Sequence, residues 1–383
     1  MQNKNKLLIG ILIIVILGVA IFGIVEAGLF SLSENNQIIK IGVVYPMTGN
    51  AASYGEYAVN AFRIAVYNIN KNSDIQIEAI YEDGKCNGKD AASATNKLIE
   101  YNDVDFLIGF CTGEVLAMAP IAEKNKKILF APGATGAKIG ESSRFVFRNI
   151  GNQETGIKKL GPYLISQNII AISSIAENTD FAQSINKSFQ NTFVSLGGKI
   201  QFTENFNSDN IDFKTMVSKL KNAEAKDIFI ITQSYKSSLT LLKEMKEQNY
   251  KPNIYASDSL ISAEALNFYK QNNLQDVVDG AVFITLVFDE NNSLAQDLFK
   301  QYKEKYGSLE GPIPKTYLAT YYDAAYLIED GVNKVGKDPE KLIAYFSSID
   351  WNGASGHLVF DDNRNAIADA TIKIVKNGEM VSK

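Results

Sequence analysis

The sequence is poor in the residues that bind metals and carry out nucleophilic chemistry. It holds one histidine and two cysteines in 383 residues. Zinc sites use several Cys or His ligands at short spacings, which are missing here, so a metal site would depend on carboxylates or on the cysteine pair alone. We interpret the histidine, His357, as a hinge or surface residue and not as a general base. We predict no cofactor and no enzymatic activity.

An excess of positive charge is also missing. Lysine and arginine number 38 against 43 acidic residues, which gives a formal net charge of −5. Nucleic-acid-binding proteins carry basic patches, and no basic cluster occurs beyond the N-terminus, so we exclude nucleic acid as a partner. The apolar content of 46% is that of an ordinary globular chain. The length predicts one large two-lobed unit or two domains.

Long apolar runs are absent except in residues 7–25. This segment has about 19 residues, which is long enough for a helix to cross a bilayer. Residues 1–6 contain two lysines and favour an orientation with the N-terminus inside the cell. We predict an uncleaved transmembrane anchor, with a cleaved signal as the alternative, followed by a linker over residues 26–37. In both cases the body of the protein lies outside the cytoplasm.

The two cysteines, Cys86 and Cys111, both belong to this body. A cysteine pair outside the cytoplasm favours a disulfide over two buried thiols. The loop that such a bridge closes has about 25 residues, so the chain-entropy model predicts a stabilisation of about 3–4 kcal/mol.

Beyond the linker, short β-branched runs alternate with amphipathic segments of helical spacing. The clearest example is Asp105–Gly140, which contains a strand, a helix that we predict Thr112 to cap, and a second strand at Ile128–Ala131. The alternation runs from residue 39 to 148 and again from 169 to 257. It predicts an α/β fold with two doubly wound lobes.

Two loops in this region contain mostly small and hydroxyl-bearing residues. Residues 111–114 and 132–136 each follow a predicted strand, and the first loop leads into a helix. Ligands of open α/β sheets bind at the carboxyl ends of strands, and a helix N-terminus favours an anion. The two loops therefore suit a carboxylate, although ordinary turns have a similar composition.

Four segments together resemble a known family. They are IKIGVVYPMTGNAASYGEYAVNAFRIAVYNIN, YEDGKCNGKDAASATNKL, FLIGFCTGEVLAMAPIAEKNKKILFAPGATGAKI and SGHLVFDDNRN. Each motif alone is common, but their order is similar to that of the branched-chain amino-acid (leucine/isoleucine/valine) binding proteins. These are type I periplasmic solute-binding receptors of ABC importers. The cysteine pair lies where receptors of this family carry their disulfide.

The resemblance implies two Rossmann-like, doubly wound lobes joined by three crossovers, with the ligand between them. The implied division places residues 38–149 and 282–355 in the first lobe. Residues 150–281 and 356–383 would form the second lobe. From the residues alone, the stretch from Gly356 to Val375 predicts a terminal hairpin.

The resemblance assigns four ligand-binding residues to the first lobe. Thr112 corresponds to the family residue that binds the ligand carboxylate. Gly133, through its backbone, and Thr135 correspond to the contacts of the second loop. Tyr54 corresponds to an aromatic wall residue, although packing on the lobe surface is the alternative.

Three further residues come from the second lobe. Asp258 corresponds to the acid that pairs with the α-ammonium group, where leucine-type receptors commonly have glutamate; a helix cap or turn acid is the alternative. Tyr235 corresponds to an aromatic contact. Phe181 occupies a position that is often tyrosine, so its contact would be purely apolar.

These assignments imply a receptor that captures a branched-chain or related small amino acid. It would deliver this ligand to ABC permease and ATPase subunits while its N-terminal helix attaches it to the membrane. The alternatives are a sensory ligand-binding protein, which would need a signalling partner, and a receptor for amides or urea.

Overall fold

The computed structural model describes residues 37–207 and 212–383. The predicted anchor at residues 7–25, and the linker up to residue 36, lie outside the described residues. Within the part described, no helix is both long and apolar enough to cross a membrane.

The described chain forms fourteen labelled strands in three sheets. In chain order the strands are β1 (Gln37–Tyr45), β2 (Ile75–Asp83), β3 (Phe106–Gly109), β4 (Ile128–Phe130), β5 (Val146–Phe147), β6 (Ala171–Glu177), β7 (Lys199–Phe206), β8 (Asp227–Ile231), β9 (Asn253–Ser257), β10 (Val282–Leu286), β11 (Trp351–Gly353), β12 (Gly356–Leu358), β13 (Ala370–Lys376) and β14 (Glu379–Ser382).

Helices connect most of these strands. They are α1 (Ala52–Asn72), α2 (Gly88–Glu100), α3 (Thr112–Lys124), α4 (Gln153–Ser166), α5 (Asp180–Ser195), α6 (Phe213–Asn222), α7 (Leu239–Glu247), α8 (Ala263–Gln271), α9 (Gln275–Val278), α10 (Ser293–Tyr306), α11 (Thr316–Val335) and α12 (Pro339–Ser347). A short 3₁₀ helix covers Gly140–Ser142.

The first sheet has the order β2-β1-β3-β4-β5, and every neighbouring pair is parallel. Both of its faces are covered, as the β-branched β1 shows: Ile41 and Val43 belong to one apolar cluster and Val44 to another, all without exposed surface. A parallel sheet requires such burial because crossover helices pack on both sides. The order in which the strands follow one another along the chain reverses between β1 and β3. In proteins with this architecture, ligands bind at such a point of reversal.

The second sheet has the order β14-β13-β10-β9-β8-β6-β7. Its strands β6 to β10 are parallel and repeat the winding of the first sheet, while β13 and β14 join one edge in antiparallel pairings. The change of direction lies between β6 and β8. The predicted α/β fold with two doubly wound lobes is therefore present.

The lobe boundary expected at residue 282 is wrong. Val282–Leu286 pairs with β9 and β13, so it belongs to the second sheet and the crossover follows it. The backbone N–H of Val287 donates to Asp369 O at 2.8 Å, which brings two of the connections between the lobes side by side.

The chain after residue 355 also departs from the predicted division. Arg148, next to β5, donates its backbone N–H to Arg364 O and accepts from Ala366 N, so this segment still contacts the first lobe. The predicted hairpin turn is present, because Phe360 and Ala366 form an antiparallel bridge and Ile367 N donates to Val359 O at 3.1 Å. Beyond this short pairing the two predicted strands separate, since β12 pairs with β11, and β13 pairs with β10 and β14.

The structure joins Cys86 and Cys111 in a disulfide, with their Cα atoms 5.2 Å apart. Cys111 lies directly after β3 and before α3. The bridge therefore ties the loop after β2 to the loop after β3, and the second of these loops contains Thr112.

Candidate functional site

The carboxyl ends of both sheets converge on one cavity of about 30 Å³. Six of the seven predicted ligand-binding residues line it, and Tyr235 does not. The lining residues are Tyr54, Phe110, Cys111, Thr112, Gly133, Thr135, Phe181, Gln233, Asp258, Ser259, Ile313 and Tyr317.

One side of the cavity, which we call the donor wall, consists of Thr112, Gly133 and Thr135 from the first lobe. Thr112 Oγ1 accepts a hydrogen bond from Gly136 N at 3.2 Å, so its own hydroxyl hydrogen can point into the cavity. The same residue opens α3, whose first N–H groups have no partner within the helix. Both features suit a negatively charged ligand group.

The loop that presents Thr112 is held by the buried carboxyl of Glu114. Its Oε2 accepts from Cys111 N at 2.8 Å and its Oε1 from Cys86 N at 2.9 Å. Burial raises the pKa of Glu114 to about 8, against the lowering effect of these backbone N–H groups. Cys111 and not Thr112 is the N-cap residue of α3, which corrects our prediction. Thr112 is thereby free of a capping role.

The second loop of the donor wall packs tightly against its surroundings. Gly133 lines the cavity, and a Cβ atom there would lie 3.0 Å from Phe110 O, so the site leaves little room for a side chain. Thr135 is 3% exposed, and its carbonyl accepts from Gln153 N at 3.0 Å. Tyr317, whose pKa is raised by burial, places its hydroxyl beside the Thr135 side chain.

The opposite side, which we call the acid wall, consists of Asp258 and its two partners in the second lobe. Asp258 follows β9 and is 2% exposed. Its Oδ1 accepts from Gln153 Nε2 at 2.7 Å and its Oδ2 from Thr285 Oγ1 at 3.1 Å. Burial raises the pKa of Asp258 to about 7, while both donors lower it. Asp258 forms no ion pair within the described part of the chain, so a ligand cation can supply the missing charge.

Tyr54 extends from the first lobe to the second. Its hydroxyl donates to Ser259 O at 3.0 Å and accepts from Tyr235 N at 2.9 Å. The Tyr235 ring stacks on the Tyr54 ring with centroids 6.0 Å apart, and its hydroxyl bonds to Glu264 at 2.5 Å. Tyr235 therefore packs against Tyr54 and is not among the residues that line the cavity.

Besides Cys111, which was predicted only as a disulfide partner, five lining residues were not predicted: Phe110, Gln233, Ser259, Ile313 and Tyr317. Three of them are adjacent to a predicted residue or loop, so the carboxyl-end rule could have found them. Ile313 comes from the segment between α10 and α11 and Tyr317 from the first turn of α11, far along the chain, and no local signal distinguishes them. Among residues 37–207 and 212–383, no three His, Cys, Asp or Glu side chains group as metal ligands.

A family model described as periplasmic binding protein matches residues 38–379. The chain belongs to this family. The leucine-, isoleucine-, valine-, threonine- and alanine-binding protein of Pseudomonas aeruginosa is 24% identical over 344 residues, which cover 88% of this chain and 89% of the relative. The resemblance to the branched-chain amino-acid binding proteins is thereby confirmed.

Solved structures of the family have the same fold. The leucine binding protein LivK from Thermotoga maritima superposes with a TM-score of 0.79 at 25% identity, covering 90% of this chain and 97% of that one. A solute binding protein of an ABC transporter from Rhodopseudomonas palustris, in complex with 3,4-dihydroxy benzoic acid, gives a TM-score of 0.77 at 20% identity, covering 90% and 95%. The similarity to the protein from Rhodopseudomonas palustris concerns the fold alone.

Membership in this family fixes the general role of the protein. Its members are solute-binding proteins of ABC transporters that work outside the cytoplasm, and they are not enzymes. The prediction of no enzymatic activity is confirmed on that ground. A small molecule and the transporter subunits are accordingly the partners of this chain.

Proposed function

We propose that the protein captures an α-amino acid between its lobes and delivers it to an ABC importer. One observation carries the proposal: the donor wall and Asp258 face each other across the same cavity. An α-amino acid has a carboxylate and an ammonium group on one carbon. The donor wall binds the first group, and Asp258 pairs with the second.

The charges of the lining residues favour a zwitterion over a simple acid. Among the described residues that line the cavity, Asp258 is the one ionisable carboxyl, and none of them is a lysine or arginine. An aromatic acid such as benzoate would bring a second negative charge close to Asp258, with no cation to balance it. An amino acid pairs its ammonium group with Asp258, and the neutral donors of the donor wall bind its carboxylate.

Apolar residues define the rest of the ligand environment. Phe110, Phe181 and Ile313 line the cavity, so the ligand side chain meets an apolar surface. We therefore propose an amino acid with an apolar or small neutral side chain. Because the cavity measures only about 30 Å³, the lobes must separate by a hinge motion to admit it.

Isothermal titration calorimetry of the full chain in detergent tests this function. The panel comprises L-leucine, L-isoleucine, L-valine, L-alanine, L-threonine, leucinamide, urea and benzoate. We expect micromolar or tighter binding of at least one amino acid and none of benzoate. Heat from urea or leucinamide, with none from any amino acid, would refute the amino-acid ligand and leave the solute-binding role standing.

A further inference from the structure

Arg148 is a buried cation without a buried anion. Its side chain has a relative exposure of 1% and follows β5. Within the described part of the chain it forms no ion pair, and Glu154, Asp361 and Glu141 act on it only from a distance. Its Nε has no hydrogen-bond partner among the described residues. Its close side-chain contact is with Gly136 O, to which Nη1 donates at 2.6 Å.

The peptide group between Gly136 and Ala137 continues this contact across the cleft. Its carbonyl accepts from Arg148, and its N–H donates to Ser184 Oγ at 3.2 Å. Ser184 belongs to α5 of the second lobe, so this hydrogen bond joins the lobes. A cation on the carbonyl polarises the peptide and strengthens its N–H as a donor.

Both ends of this contact reach the ligand cavity. On the first lobe, Gly136 N donates to Thr112 Oγ1 and so orients the hydroxyl of the donor wall. On the second lobe, the Ser184 hydroxyl donates to Phe181 O at 2.8 Å, and Phe181 lines the cavity. The Gly136–Ala137 peptide therefore lies between two residues that face the ligand from opposite lobes.

Close packing shows that the lobes meet here without room for a further side chain. A Cβ atom at Gly136 would lie 2.7 Å from Thr112 Oγ1 and 3.0 Å from Ser184 Oγ. One at Gly113, the second residue of α3, would lie 2.5 Å from Asp180 Oδ2 at the start of α5. The starts of these two helices therefore approach each other through glycine.

We propose that Arg148 is a positioning residue which holds the Gly136–Ala137 peptide against Ser184, and that this latch couples lobe closure to the orientation of Thr112. The inference rests on the proposed function for its ligand, and on the hydrogen bonds above for its mechanism. With the latch formed, the lobes part more slowly and the bound ligand leaves more slowly.

The first test needs no ligand. Native-state hydrogen exchange of the Ala137 amide is followed by NMR on the deuterated full chain in detergent. In Ser184→Ala we expect this amide to exchange at least tenfold faster than in the wild type, while the amides of β3 and β4 keep their rates. Exchange of Ala137 within twofold of the wild-type rate would overturn the latch.

Ser195→Ala is the matched control. Ser195 lies on the same helix and donates to the carbonyl three residues earlier, as Ser184 does, but it is exposed, and this hydrogen bond stays within the helix. Stopped-flow measurements with L-leucine should show dissociation at least fivefold faster in Ser184→Ala and unchanged in Ser195→Ala, with association within twofold in both. Equal dissociation rates in the two variants would contradict the proposal.

Arg148 itself is tested with the pair Arg148→Lys and Arg148→Gln, after thermal unfolding has confirmed that each variant folds. We expect Ala137 exchange to be faster in the neutral variant than in the lysine variant, because the charge acts on the peptide. Equal protection of Ala137 in both would refute the role of the charge. If no amino acid binds the wild type, the proposed function fails, whereas the exchange comparison still decides the latch.

Discussion

The donor wall and the acid wall face the same cavity, but the protein holds them in different ways. Backbone groups, a disulfide and the buried carboxyl of Glu114 fix the loop that carries Thr112. Asp258 is held mainly by two side chains, Gln153 and Thr285. The first arrangement is redundant and independent of Asp258. The second depends on one group whose charge changes near neutral pH.

This difference means that a single group of the acid wall, Asp258, affects both folding stability and binding strength, whereas several groups share the support of the donor wall. A redundant wall tolerates the loss of one support. A buried carboxyl that is charged and has no cationic partner lowers the free energy of unfolding. This cost falls when a ligand cation pairs with the carboxyl. Each prediction below alters one wall and leaves the other intact.

The largest expected effect is on the stability of the ligand-free protein. The folded-state pKa of Asp258, about 7, lies above its ordinary value of 3.8, so its stabilising contribution is full at low pH and is lost as the pH rises through 7. Asp258→Asn cannot ionise and should raise the free energy of unfolding by up to about 4 kcal/mol at pH 8. At pH 4 it should change little. Urea unfolding of the wild type and the variant at both pH values measures this difference in free energy. An equal gain in stability at pH 4 and pH 8 would contradict the prediction.

The next effect concerns the disulfide. Replacing both Cys86 and Cys111 by serine should lower the free energy of unfolding by about 3 kcal/mol, since the unfolded chain regains the freedom of a loop of about 25 residues. Because Glu114 still holds the backbone of both positions, we expect the affinity for an amino acid to fall less than about threefold. Chemical denaturation and calorimetry measure the two quantities. The wild type under reducing conditions is the control and should match the variant.

The effect on binding should be largest at Asp258. Asp258→Ala removes the partner of the ammonium group and should weaken amino-acid binding by at least about 2 kcal/mol, or roughly 30-fold. Asp297→Ala, on an exposed face of α10, is the control and should bind like the wild type. Equal affinities of the two variants would remove Asp258 from the site.

The pKa of the Asp258 carboxyl also determines how ligand binding depends on pH. Below its pKa of about 7 Asp258 is protonated and neutral, so the affinity for an ammonium group should rise as the pH increases to 7 and then level off. Calorimetry of the wild type and of Asp258→Asn between pH 5.5 and 8 measures it. A profile of the wild type as flat as that of the asparagine variant would contradict the prediction.

The smallest effect is expected at the donor wall. Thr112→Val keeps the shape but removes the hydroxyl, and it should cost about 1.5 kcal/mol of binding free energy, or roughly tenfold in affinity. Thr112→Ser retains the hydroxyl and should bind within about threefold of the wild type. If the two variants bind equally, the hydroxyl does not contact the ligand.

Much of the fold could be predicted because parallel strands and their helices follow one another in the sequence. Hydrophobic periodicity placed a strand at Ile128–Ala131, where the structure has β4, and the loop after it contains Gly133 and Thr135. Six of the seven site residues inferred from the resemblance line one cavity for the same reason: each follows a strand of a doubly wound sheet.

The parts of the fold and of the site that were not predicted depend on contacts between distant parts of the chain. The unpredicted β11–β12 pair turns at Ala354 and Ser355, whose N–H groups donate to the Asp323 carboxylate at 2.8 and 2.7 Å. Asp323 is a buried residue of α11, which the local sequence of the hairpin does not reveal. Tyr317 was missed for a similar reason, since it reaches the cavity from the first turn of that helix.

The hydrogen bond from Val287 N to Asp369 O limits how the two halves of the molecule can move. Segments joined in this way bend together across their common plane, but they cannot twist past each other without breaking the bond. We therefore expect the two crossovers that contain Val287 and Asp369 to bend as one unit when the lobes open.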